Sequence, residues 1–241
     1  MIDCYSAPEK PFADLYLKVR AAENRLLSDQ QVLQLPNVDK FDVNASEWKL
    51  RKKSAKRFTD YITQKRKPLK ILDIGCGNGW FSNKLSEIPN VEILAIDVNL
   101  RELEQAARLF NKPNLSFADA DLFADAPDEK FDIAVFNSCF QYFENVQKTI
   151  EAAKKWLKTG GEIHIIDSPF YRQDRVEAAK LRTKKYYENL GFPEMTSHYF
   201  HHSWNELPEI KIYYKPTIFT KLLKNSPFCW ISISQNAKVG R

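Results

Sequence analysis

Ile71, Leu72, Asp73, Ile74, Gly75, Cys76, Gly77, Asn78, Gly79 and Trp80 form an apolar run that ends in an acid and continues into a loop with glycine at every second position. Glycine lacks a Cβ, so such a loop takes positive φ and lets the backbone approach a ligand closely. That is the chemistry of a strand-to-loop turn holding a bulky charged nucleotide at the start of a helix. The pattern is Asp-x-Gly-x-Gly-x-Gly and departs from the dinucleotide fingerprint Gly-x-Gly-x-x-Gly, because Trp80 stands at its sixth position. A second acid, Asp97, lies about 20 residues beyond Gly75, the distance at which a βαβ unit presents a carboxylate to a ribose. A carboxylate there accepts hydrogen bonds from both ribose hydroxyls and repels a 2′-phosphate, selecting an unphosphorylated ribose.

The elements that position these residues follow from the hydrophobic pattern. Strands are expected at 69–74, 91–97, 115–118, 131–137 and 162–167, alternating with helices at 80–88, 100–110 and 146–158. This alternation predicts an α/β fold, a mostly parallel, doubly wound sheet with helices on both faces. Ligands then bind beyond the carboxyl ends of the strands. Those ends are polar: Asp73, Asp97, Asp119 with Asp121, and Asn137 with Ser138. Ahead of the sheet, residues 12–35 and 46–66 have rough helical spacing, an N-terminal helical extension whose second part is rich in Lys and Arg. After Pro169 a charged helix over 172–190 leads to an aromatic and histidine-rich segment, and β-like runs at 210–214 and 229–234 follow. One domain over 1–241 is expected, with a helical cap at 1–66, a cofactor-binding core at 67–168 and a substrate-side cap with final strands at 169–241.

Bulk composition narrows the classes. The chain has 241 residues, 44% of them hydrophobic, enough for one sizeable core. Its 36 basic and 31 acidic residues give a net charge of +5, which permits an anionic partner without requiring one. Cys4, Cys76, Cys139 and Cys229 show no Cys-x-x-Cys spacing, which argues against a disulfide framework or a cysteine zinc site. No metal is expected. Neither a secretory leader nor a membrane-length apolar run is visible, so a cytoplasmic protein with no membrane partner is expected.

Residues 72–79 resemble the first motif of the class I S-adenosylmethionine-dependent methyltransferases, and the resemblance extends over about residues 67–168. It implies S-adenosyl-L-methionine as cofactor and a Rossmann-like, seven-stranded sheet whose last strand is antiparallel. The loop Gly75, Cys76, Gly77 and Gly79 would pack on the methionine part, with Asp73 and loop carbonyls accepting from its ammonium. Asp97, with Val98 beside it, would hold the ribose. Asp119 matches the family acid at the adenine amino group, with the Ala120 amide near the ring, and Asn137 falls beside the methionine end. In this fold an N-terminal helical segment often covers the cofactor, which makes Arg51, near Glu47 and Trp48, a candidate for the methionine carboxylate or the substrate.

Methyl transfer is an in-line displacement, and a hydroxyl or ammonium acceptor needs a base. His198 and His202, with His201 between them, are candidates, since helical spacing would bring His198 beside the other two; a metal site, a substrate contact and ordinary packing are the three readings of that cluster. Tyr142, just after the fourth core strand, matches a family position facing the transferable methyl, or else packs on the sheet edge. His164 reads as a packed core histidine. The Asn or Asp followed by two prolines that marks amino-group methylases of nucleic acid bases is absent, because Asn137 precedes Ser138 and Cys139. That lowers nucleic-acid amines as substrates, while the long aromatic stretch over 170–227 suits a cap over a small, partly apolar acceptor, so a small molecule is favoured over RNA or protein. A nicotinamide-dependent dehydrogenase and a non-catalytic S-adenosylmethionine-binding protein are the alternatives.

Overall fold

A computed structural model describes residues 3–4, 11–123, 128–217 and 225–236. In chain order the elements are β1 (Asp3–Cys4), α1 (Pro11–Ala22), α2 (Asp29–Gln34), α3 (Ala45–Gln64), β2 (Leu69–Ile74), α4 (Trp80–Ser86), β3 (Val91–Asp97), α5 (Leu100–Leu109), β4 (Leu115–Asp119) and β5 (Phe131–Asn137). They continue with α6 (Val146–Lys155), β6 (Leu157–Ile166), β7 (Phe170–Tyr171), α7 (Val176–Leu190), β8 (His202–Ser203), β9 (Lys211–Tyr214) and β10 (Trp230–Ser234).

The main sheet runs β1-β4-β3-β2-β5-β6-β10-β9. All neighbours are parallel except β10, which is antiparallel to both β6 and β9. Seven strands thus form the expected sheet with its last strand reversed. The two-residue β1 adds an eighth at the β4 edge, and β7 with β8 forms a separate small pair. Parallel strands covered on both faces read as apolar runs, and β2 shows why. Ile71 joins Phe58, Phe81 and Ile93 on one side, while Leu72 and Ile74 join Phe136, Ile150 and Ile163 on the other.

Local chemistry explains where the element boundaries fall. The expected helix over 12–35 is broken: Asn24 takes φ of 56°, and Ser28 opens α2 with a capping box to Gln31. β6 starts at Leu157 rather than 162, because Leu157 pairs with Phe131 ahead of a register shift and Gly160 turns at φ of 79°. α3 is part of the core rather than a loose cover: Phe58 and Ile62 are buried, Phe58 against Trp230, His164 and Phe81. No helix among the described residues is long and apolar enough to cross a membrane.

Candidate active site

A cavity of about 720 Å³ opens at the carboxyl ends of β2, β3 and β5. That volume falls within the roughly 300 to 1,000 Å³ typical of small-ligand clefts. The glycine loop forms its floor. Gly75 and Gly79 take φ of 69° and 72°, and a Cβ on Gly75 would stand 2.8 Å from the Cys139 Cβ. A Cβ on Gly79 would meet Phe117 at 2.7 Å, so packing as well as φ demands glycine there. Asp97 anchors the loop from the end of β3: its Oδ2 accepts from the Gly77 amide at 2.8 Å and its Oδ1 from the Asn99 amide at 2.9 Å.

Three carboxylates share this floor: Asp73, Asp97 and Glu102, all on the cavity wall. Asp73 is 1% exposed; its Oδ2 accepts from Ser82 Oγ at 2.6 Å, and its Oδ1 is buried without a partner among the described residues. Burial pushes its pKa up to about 7 against the Ser82 hydrogen bond, with Asp97 adding to the rise. Burial and then the neighbouring Asp97 likewise raise Glu102 to about 7. Glu102 sits under Gly77, its oxygens 3.5 and 3.6 Å from where a Cβ would lie.

The opposite wall is aromatic and cationic. Phe12, Tyr16 and Arg20, spaced by four along α1, lie on one helix face and line the cavity. The Arg20 guanidinium stands 4.7 Å from the centre of the Tyr16 ring, and it donates to Tyr142 Oη at 2.7 Å and Glu23 Oε2 at 2.8 Å. Farther along, Arg25 forks onto Glu47 at 3.0 and 2.6 Å, and Arg51 Nε donates to the same carboxylate at 2.8 Å. Burial favours a neutral Glu47, but these hydrogen bonds outweigh it and hold the carboxyl at about 2. Arg51 also lies 5.3 Å from the Trp48 ring, which packs edge-on against Trp80.

The expected residues divide accordingly. Asp73, Gly75, Cys76, Gly77, Asp97 and Val98 line the cavity, as do Ala120, Asn137, Arg51, Tyr142 and His198. Gly79 lies just outside as the N-cap of α4, fixing the loop's exit. Asp119 is buried in β4 opposite Asp97 and does not line the cavity, where Asp121 does.

The histidines do not share a helix face. A 3-10 turn ends at His198, and Tyr199 is extended at φ −123° and ψ 107°. His202 instead packs against Phe140 and Phe170 outside the cavity, its Nε2 without a partner among the described residues, and burial lowers its pKa. His201 bonds Thr183 at 2.8 Å. No metal-binding cluster occurs among the described residues. His164 is fully buried between Glu162 and the Trp230 indole, as a core histidine. Arg20, Arg25, Tyr16 and Glu102 join the site without belonging to any sequence motif; the four-residue spacing along α1 is the signal that marks two of them.

Residues 65–217 match the family model described as a methyltransferase domain. A malonyl-[acyl-carrier protein] O-methyltransferase of Acetivibrio thermocellus is 32% identical over 138 residues, 55% of this chain and 48% of that protein. The chain spans about half or less of the length of the curated relatives it first matches. Among solved structures, an O-methyltransferase family protein from Burkholderia thailandensis superposes with a TM-score of 0.55 at 13% identity, over 94% of this chain and 71% of that one. The plantazolicin methyltransferase BpumL, solved with SAH, superposes at 0.52 and 18% identity over 91% and 97%. These two share the fold. With the family model covering more than half of its length, the chain belongs to the methyltransferase domain family, in its class I, S-adenosylmethionine-dependent branch.

Proposed function

We propose that this protein is an S-adenosylmethionine-dependent methyltransferase acting on a small molecule, with oxygen as the methylated atom. The observation that carries the reading is the gathering of Asp73, Asp97 and Glu102 on the floor of one cavity beneath a glycine loop. Three carboxylates repel a pyrophosphate, which disfavours a dinucleotide, and attract a ligand bearing ammonium and sulfonium charges. Asp73 Oδ1, buried and unpartnered among the described residues, has the chemistry to receive an ammonium, and Asp97, a carboxylate on the same cavity wall, has the chemistry to accept from ribose hydroxyls. Ala120, Asp121 and Leu122 line the adjoining wall, where the adenine would lie. The choice of oxygen rests on the malonyl-[acyl-carrier protein] O-methyltransferases among the relatives.

S-adenosylmethionine, when bound, supplies an electrophilic methyl on a sulfonium. The protein's own work is to bind, orient and exclude water. Phe12, Tyr16 and Arg20 of α1 with Trp48 and Arg51 of α3 form one side of the chamber, the glycine loop its floor, and His198 and Phe200 contribute a further side. Positioning two reactants this way can lower a barrier by about 7 to 11 kcal/mol. Isothermal titration with S-adenosylmethionine, S-adenosylhomocysteine and NAD tests the cofactor, and the expected result is micromolar binding of the first two alone. Tight binding of NAD with no response to the sulfonium overturns the reading. Label passing from a methyl-tritiated cofactor into a metabolite extract separates an enzyme from a binding protein.

A further inference from the structure

We propose that the acceptor carries a carboxylate and that Arg20 is the group that binds it; this rests on the methyltransferase reading above. Charge is segregated in the cavity. The carboxylates Asp73, Asp97 and Glu102 come from the sheet side, whereas Arg20, Arg25 and Arg51 come from the N-terminal helices and the turn between them. Two carboxylates bridge those three guanidiniums: Glu23 contacts Arg20 and Arg25, and Glu47 contacts Arg25 and Arg51. Three guanidiniums against two carboxylates make this side of the cavity cationic, and Arg20 also acts on Glu102 from across it. An anionic group is the part of a ligand that this side of the cavity suits.

Position decides which anion goes where. Arg51 connects through Trp48 to Trp80, the residue after the glycine loop, and is placed for the cofactor's own carboxylate. Arg20 instead bonds Tyr142, beyond the carboxyl end of β5. Its fork is fixed by Glu23, Tyr142 and the Tyr16 ring, and a planar fork so held suits a carboxylate. Around it the chamber is aromatic: Phe12 lies 5.7 Å from Tyr142 and 5.3 Å from His198, and Tyr199 backs Tyr142 at 5.8 Å. An acid with a flat or apolar body fits that surround.

The test titrates the S-adenosylhomocysteine-saturated protein with benzoate and octanoate and with their uncharged amides. The acids are expected to bind about ten- to a hundredfold more tightly than the amides, the range of one charge-assisted hydrogen-bonded contact. Arg20→Gln is expected to erase that preference while S-adenosylhomocysteine affinity changes less than about twofold. Tyr142→Phe, which keeps the ring, narrows the preference and guards against misfolding of the first variant. Equal binding of acids and amides, or no binding of either, overturns the proposal. So does a tenfold loss of S-adenosylhomocysteine affinity in Arg20→Gln, which would make Arg20 the clamp on the cofactor's carboxylate. Wild-type protein that binds no S-adenosylhomocysteine overturns the methyltransferase reading itself, a separate outcome.

Discussion

Asp97 Oδ2 accepts a hydrogen bond from the Gly77 amide at 2.8 Å, so the acid assigned to the ribose also holds the glycine loop in shape. Asp97→Ala therefore removes a ligand contact and a loop anchor together. At roughly 1.5 to 3 kcal/mol for a charge-assisted hydrogen bond, S-adenosylhomocysteine affinity should fall by about ten- to a hundredfold, read by calorimetry. Asp97→Asn keeps an acceptor and should lose less. An unchanged dissociation constant in the alanine variant would reduce Asp97 to a loop anchor.

Asp73 and Glu102 give the unliganded protein a definite pH response. Their usual carboxyl values of 3.8 and 4.5 are raised to about 7 in the folded state. The unfolded chain thus releases these protons first as the pH rises. Stability from the two groups is full below about pH 4 and is lost as the pH climbs through about 7. A cationic ligand favours the ionised forms, so S-adenosylmethionine affinity should rise from pH 6 to 8, with proton release on binding. Calorimetry at pH 6.5 in buffers of different ionisation enthalpy reads that release, and Asp73→Asn should diminish it. No proton release in the wild type would contradict the assignment.

Two glycines with the same left-handed backbone separate strain from packing. Gly160 has φ of 79° with nothing within 4 Å of the point where an alanine methyl would stand, whereas at Gly79 that methyl meets Phe117 and Ala106 below 3 Å. Gly160→Ala should cost about 1 kcal/mol of backbone strain and Gly79→Ala about 2 to 4 kcal/mol. At roughly 2 to 4 °C per kcal/mol, calorimetric melting should show a clearly larger drop for Gly79→Ala. Equal drops would mean that the loop relaxes away from Phe117.

Phe58 tests how firmly the N-terminal helices belong to the fold. It is fully buried on α3 against Trp230 and Phe81. Phe58→Ala should cost about 3 to 5 kcal/mol in a single cooperative denaturant transition. A second, early transition would show α3 detaching on its own.

What the sequence disclosed follows how local each signal is. The loop from Asp73 to Gly79 is contiguous, and Asp97 follows one βαβ unit later, so both were legible from spacing. The strands from β2 to β6 were legible because burial on both faces leaves them apolar. Asp119 is the last residue of β4 and Asp121 follows in the loop beyond it, and because residues two apart share a strand face, spacing alone does not say which one reaches the cavity. The histidines misled because helical spacing presumes a helix, and the chain turns extended after His198. Arg20 was hidden for a different reason: its partner Tyr142 lies 122 residues away, and no local pattern encodes that meeting.

The placement of β10 has a consequence for how the sheet comes together. β9 precedes β10 in the chain, yet it lies outside β10 and pairs with no other strand among the described residues. Until residues 230–234 slot between β6 and β9, the Ile163 and Ile165 backbones keep an open edge and β9 has no ladder to join. Sheet growth on this side therefore cannot follow the order of synthesis, and the closing step is a late insertion across a long stretch of chain.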